Sequence, residues 1–181
     1  MSQSDVKNAP PETPTPNSTT PEGSATWSIR PASEDDVQKV SEIDHQIQPS
    51  FWTAQQFAEE MNKPYSRFLV VTDDETDELI SGYLVFWIFL DEVQVHTIGV
   101  APSFRGQGFA KRLLKQAIRE GLQANCRQVS LEVRKGNLAA IQLYQGLGFT
   151  ITQVRKGFYT DGEDAYQMCL SLIGKDPFQL D

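Results

Sequence analysis

The chain's most restrictive stretch begins with a short apolar strand, Ile98-Gly99-Val100, that runs into a Pro-containing turn, Ala101-Pro102-Ser103-Phe104. Arg105-Gly106-Gln107-Gly108-Phe109-Ala110 follows. It opens a helix whose apolar positions are Leu113, Leu114, Ala117 and Ile118. A strand, a glycine-bearing bend and a helix start together make an anion site. The first amides of the helix have no internal partner, and the helix dipole adds partial positive charge there. Glycines let the main chain approach a phosphate with no Cβ in the way. The stretch reads as a cradle for a phosphorylated cofactor; the plainer alternative is a helix start that uses glycine for a tight turn.

Two familiar phosphate loops are excluded. The dinucleotide fingerprint needs three glycines in G-x-G-x-x-G spacing, and Lys111 stands where the third would be. No G-x-x-x-x-G-K-[ST] segment exists anywhere in the chain.

Periodicity supplies the rest of the frame. Ser28 to Pro31 reads as a strand. Ser33-Glu34-Asp35-Asp36 reads as a capping-box start for a helix bearing Val37, Val40, Ile43 and Ile47, ended by Pro49. Thr53-Ala54-Gln55-Gln56 repeats that signal for a short helix with Phe57 and Met61. Strands follow at 67–72, 79–90 and 93–100, the last two antiparallel across Asp91-Glu92. The long helix covers about 107–124. After it come a strand at 127–134, a helix from Asn137 to Gly146 or Gly148, a strand at 149–154, a loop at 156–163 and a strand at 165–172. The order βααβββαβαββ implies an α/β (α+β) fold, with a mixed sheet carrying helices on both faces. Residues 1–26 hold half of the 10 prolines and almost no apolar residue, so they are expected to be a disordered tail. The folded domain is then 27–173, with a short C-terminal tail at 174–181.

Composition narrows the function classes. With 16 Lys and Arg against 24 Asp and Glu the net charge is −8, which argues against direct nucleic-acid binding. Two cysteines, Cys126 and Cys169, suggest neither a disulfide framework nor zinc; both lie in apolar runs and read as buried thiols of a reducing cytoplasm. His45 and His96 lack metal spacing and read as structural, so no metal is expected. The apolar run Tyr83–Leu90 is too short to span a bilayer, and no secretory signal is visible. Nothing in the chain fixes an oligomeric state.

Arg105-x-x-Gly108-x-Ala110 after a strand resembles the acetyl-CoA pyrophosphate loop of the GNAT N-acetyltransferase superfamily. Three further motifs are similar to the ribosomal-protein-alanine N-acetyltransferase (RimI) branch: Leu131-Glu132-Val133-Arg134-x-x-Asn137, Ala140-Ile141-x-Leu143-Tyr144-x-x-Leu147-Gly148-Phe149, and Tyr159-Thr160-Asp161-Gly162-Glu163-Asp164-Ala165. The resemblance covers Val93 to Leu172 in motif and element order. From Trp27 to Phe57 it holds in outline only, and residues 1–26 have no counterpart.

That resemblance implies acetyl-CoA as co-substrate and a protein N-terminal α-amine as acceptor, and the branch suggests a ribosomal protein beginning with alanine. It implies cofactor contacts at Ile98, Gly99 and Val100, at Arg105, Gly106, Gln107, Gly108, Phe109, Ala110 and Lys111, and at Asn137. It implies Glu132 as general base, Tyr144 as the acid that protonates the departing thiolate, and Tyr159 with Glu132 on the acceptor side. Many relatives have alanine where this chain has Gly99, and Phe158 replaces a second tyrosine often found beside Tyr159.

The residues support parallel readings of their own. Alternation puts Glu132 on the opposite sheet face from Leu131 and Val133, as a half-exposed carboxylate or, if covered, as a base with a raised pKa. Asn137 and Tyr144 are seven apart and share a helix face. Asn137 serves equally as an N-cap, and Tyr144 as a core aromatic. Lys111 reaches a phosphate or stays solvated. Two other functions stay open: the same cofactor half acting on lysine side chains or small-molecule amines, and a non-enzymatic acetyl-CoA-binding module.

Overall fold

Apolar residues along the central strands, continuous in β3 and alternating in β4 and β5, build one seven-stranded sheet, ordered β1-β2-β3-β4-β5-β7-β6. The computed structural model describes residues 26–48 and 52–176 of the 181. Nearly all of the expected tail, Pro49 and the last five residues lie outside the described residues. The elements are β1 (Trp27–Pro31), α1 (Asp36–Ile47), α2 (Ala54–Met61), β2 (Ser66–Asp73), β3 (Ile80–Phe89), β4 (Glu92–Val100), α3 (Phe109–Gln123), β5 (Gln128–Arg134), α4 (Leu138–Gly146), β6 (Thr150–Arg155) and β7 (Ala165–Ser171). A single 3-10 turn, Pro102–Phe104, links β4 to the approach of α3. The order is the one that periodicity predicts. Among the described residues no helix is long and apolar enough to cross a membrane.

Period two sorts the core into two layers. Leu84, Phe86, Val93, Val95, Leu131 and Val133 pack with Leu113, Leu114 and Ala117 of α3 and with Ile141 and Tyr144 of α4. On the other face Val70, Tyr83 and Val85 pack with Val40 and Ile43 of α1 and Phe57 of α2. β3 is covered on both sides, which is why it reads as a continuous apolar run rather than an alternating one.

Local chemistry departs from the sequence reading at three places. At the head of α1 the cap residue, Asp35, makes no side-chain cap bond. Instead the Asp36 carboxylate folds back and accepts from the Ser33 amide at 2.7 Å and hydroxyl at 2.8 Å, and from Arg30 at 2.6 and 3.1 Å. The capping box at Thr53 and Gln56 forms as expected. α3 begins at Phe109, because Gly108 sits at φ +81°, outside helical geometry. Cys169 is half-buried, unlike the buried Cys126, because alternation turns it to the face of β7 away from Met168 and Leu170, beside the exposed strand β6.

Burial alone would raise the Asp36 carboxyl, but the Arg30 guanidinium and the Ser33 donors outweigh it and hold the pKa below the ordinary value. Its folded pKa is thus depressed, so its stabilisation is present above the unfolded value of about 3.9 and is lost as pH falls through the folded one. Asp36→Asn is expected to cost roughly 2 kcal/mol at pH 7 and much less at pH 3, which urea unfolding at the two pH values measures.

Candidate active site

The sheet forks at its centre. β4 and β5 are parallel and pair only from Glu92↔Gln128 to Val95↔Leu131, after which β4 continues to Val100 and β5 to Arg134 without pairing. A bulge marks the same place. In the β3–β4 ladder Phe86 faces Val95 and Val85 faces Thr97, so His96 is the extra residue. A cavity of about 400 Å³ opens in the fork. Val95, His96, Thr97 and Ile98 form one wall and Leu131 to Arg134 the other, with Asn137, Tyr144, Tyr159, Phe158, Gln48 and Trp52 around them. Five of the residues expected at the site, Ile98, Glu132, Asn137, Tyr144 and Tyr159, are thereby brought together.

Backbone direction in β4 follows from one hydrogen bond. The Ala101 amide donates to the Ser81 carbonyl at 2.9 Å. In an antiparallel ladder, amides alternate between the partner strand and the open side. Gly99 therefore turns its amide toward β3, while those of Ile98 and Val100 point into the fork. Gly99 also has no room for a side chain: a Cβ there would lie 2.4 Å from Tyr83 Cε1 and 2.5 Å from Ile47 Cδ1. The missing Cβ is what lets the Tyr83 ring pass beneath the strand.

Beyond β4 the loop supplies donors. Gly106 and Gly108 lie at φ +79° and +81°, with nothing within 4 Å of a Cβ at either. Among the described residues no backbone acceptor reaches the amides of Gly106, Gln107, Gly108, Phe109, Ala110 or Lys111; the first bond of the helix start is Arg112 N–H to the Gly108 carbonyl at 3.0 Å. That run of free amides at a helix head fits a diphosphate. Arg105 and Lys111 are exposed at its rim. The Phe109 ring is buried against Trp27 and Phe104, with the Trp27 centroid 5.2 Å away, so its amide is the group left to serve a ligand. This loop does not line the cavity, and strand β4 connects the two.

Glu132 and Tyr144 reach the fork from opposite sides of the sheet. Leu131 and Val133 face α3 and α4, so alternation turns Glu132 to the α1–α2 side. It is half-buried, and its Oε1 accepts from Arg155 at 2.8 Å. Tyr144 comes from the α3–α4 layer, 5 % exposed, its ring 5.9 Å from that of Phe149. Burial, with Tyr159 nearby, pushes its pKa well above the ordinary tyrosine value. The phenol is therefore a proton donor throughout the working pH range, and a weaker one than free tyrosine. Asn137 Oδ1 caps α4 by accepting from the Ala140 amide at 3.2 Å, and the residue also lines the cavity.

The acceptor-side walls are braced by residues that the sequence reading passed over. Arg134 bridges Asp161 at 2.8 Å and Glu163 at 2.9 Å, and lies 3.9 Å over the Tyr159 ring. Arg155 stacks 4.1 Å over Phe158. Across the cavity the Asp44 carboxylate accepts from the Tyr83 hydroxyl, and from the Trp52 amide at 2.5 Å. Burial pushes the Asp44 carboxyl up despite these donors. Gln48 donates to Thr97 at 3.0 Å. The visible signal for Asp44 was its place four after Val40, on the apolar stripe of α1.

Comparison with known proteins bears on this arrangement. Residues 36–149 match the family described as Acetyltransferase (GNAT) family. The [ribosomal protein bS18]-alanine N-acetyltransferase of Escherichia coli (strain K12) is 32% identical over 124 residues, covering 67% of this chain and 81% of that protein. The N-alpha-acetyltransferase of Saccharolobus solfataricus is 30% identical over 159 residues, covering 81% and 93%. The crystal structure of the ribosomal-protein-S18-alanine N-acetyltransferase from Escherichia coli superposes with a TM-score of 0.72 at 28% identity, covering 81% and 94%.

Proposed function

The chain belongs to the GNAT acetyltransferase family, and from that membership we propose that it acetylates the N-terminal α-amine of a protein, in the manner its named relatives suggest. It is an acetyl-CoA-dependent N-acetyltransferase. The finer reading, an acceptor that is a ribosomal protein with N-terminal alanine, draws on the activity for which the Escherichia coli relative is named. The observation that carries the α-amine reading is the fork, where Glu132 and Tyr144 enter one cavity from opposite sheet faces between the Trp52 and Tyr159 walls.

Each residue has a task in that reading. The free amides from Gly106 to Lys111 hold the diphosphate of acetyl-CoA, with Arg105 and Lys111 adding charge. The amides of Ile98 and Val100 and the Asn137 side-chain amide hold the pantetheine arm, and the two main-chain donors also face developing negative charge at the thioester oxygen. Glu132 meets the acceptor ammonium with Oε2, since Oε1 is engaged by Arg155. Tyr144 gives its proton to the sulfur. With no bond to the protein required, most of the acceleration is placement. Residues 27–173 would form the catalytic domain.

The test is a panel of peptides with free or blocked N-termini, incubated with acetyl-CoA and mapped by mass spectrometry. Acetyl on the α-nitrogen of free-ended peptides, with alanine-first peptides preferred, is the expected result. Acetyl found only on lysines of blocked peptides would replace the α-amine reading with a side-chain one.

A further inference from the structure

The first pair of residues past the last rung of the β4–β5 ladder is His96 and Glu132. Val95↔Leu131 closes the pairing, so these two stand side by side where the strands part. They also share a face. Glu132 lies opposite Leu131 and Val133, which belong to the α3–α4 layer. The bulge turns His96 to the same side, where its ring packs on Trp87 at 3.9 Å between centroids and faces Trp52 at 6.5 Å. Trp87 in turn donates to Glu60 of α2 at 2.7 Å, which fixes that side as the α1–α2 face. Both side chains line the cavity.

The two groups are not equivalent as bases. A guanidinium sits on one oxygen of Glu132. No hydrogen bond occupies His96 among the described residues, and its ring is exposed enough to exchange a proton with water. From the geometry we propose that His96 is the catalytic base: its imidazole takes the proton from the acceptor ammonium, while Glu132 holds the positive charge beside it. One proton moves from nitrogen to nitrogen. The amine becomes neutral and nucleophilic, the imidazole becomes imidazolium, and the imidazolium returns its proton to solvent. This deepens the acetyltransfer reading above and rests on it.

The charged neighbours that face His96 are Glu60 of α2, Lys63 just beyond α2 and Glu132 of β5. Desolvation lowers its pKa below the ordinary histidine value, against the pull of the two carboxylates. The imidazole is therefore neutral at pH 7, and base function is lost as pH falls through that lowered value.

The experiment compares wild type, His96→Phe and His96→Ala across pH 5.5 to 9, reading kcat, KM, acetyl-CoA affinity and thermal unfolding. Phenylalanine keeps the stack on Trp87 and removes the nitrogens. The expected result for His96→Phe is a kcat at pH 7 lowered about 10- to 100-fold, loss of the wild-type acid limb, and unchanged acetyl-CoA affinity and unfolding temperature. Added imidazole is expected to restore part of the His96→Ala rate. Wild-type kcat and an unaltered acid limb in His96→Phe would overturn the proposal. The series uses whichever amine the wild-type enzyme acetylates, so a wrong acceptor and a wrong base give separate failures.

Discussion

Tyr144→Phe is expected to lower kcat by about 10²- to 10⁴-fold, the usual contribution of a placed general acid, while acetyl-CoA affinity stays within about a factor of two of wild type. The substitution removes one oxygen and leaves the ring where it is, packed beside Phe149 in the α3–α4 layer. No hydrogen bond inside the protein depends on that oxygen among the described residues, so folding has little to lose. Removing a cavity-lining hydroxyl that has no protein partner among the described residues is close to neutral for stability. The loss should therefore fall on the chemical step alone. Single-turnover kinetics with acetyl-CoA and a peptide acceptor separate that step from binding. Because burial holds the phenol protonated far above neutrality, no rise in wild-type rate from Tyr144 ionising is expected below pH 9. An unchanged kcat in the phenylalanine variant would remove Tyr144 from the reaction.

Gly99→Val should cost stability and activity together. Its Cβ would stand 2.4 Å from one atom of the Tyr83 ring and 2.5 Å from Ile47. Tyr83 cannot step aside cheaply: it is fully buried, and its hydroxyl is tied to Asp44 and lies 3.4 Å from Thr97. Displacing the ring breaks that cluster, and with it the carboxylate contact to the Trp52 amide at the cavity wall. Overpacking typically costs 1–3 kcal/mol and a strained buried hydrogen bond about 1 more. For a domain of this size, a loss of about 3 kcal/mol lowers the unfolding midpoint by roughly 6–12 °C. Differential scanning calorimetry gives the midpoint, and peptide KM reports the cavity wall. A midpoint within 2 °C of wild type would mean that Tyr83 has another place to go.

Element order was legible because it depends on local rules: alternation along β4 and β5, the helical stripe of α3, and glycine or proline at the joints. The same rules exposed Glu132, through its apolar neighbours, and the Asn137–Tyr144 pair, through helical spacing. His96 was hidden for a definite reason. Strict period two from Val93 and Val95 puts Thr97 on the α3 face. The bulge shifts the phase, so Thr97 and Gly99 face α1 and His96 turns to the acceptor side. That bulge belongs to the pairing of β3 with β4 and has no signature within β4. The guanidiniums of Arg134 and Arg155 were equally out of reach, since their partners lie on strands and loops distant in the chain. Gly99 was visible as a departure from its relatives, but only the position of Tyr83 explains it.

The fork also separates two inheritances. Everything that would grip the donor hangs from β4, the loop after it, and α3 with α4. The walls that would meet the acceptor come from the α1–α2 side and the stretch between β6 and β7. Selection can therefore redraw the acceptor half one side chain at a time while the donor half stays fixed. A lineage built on this plan can change customers without relearning its trade.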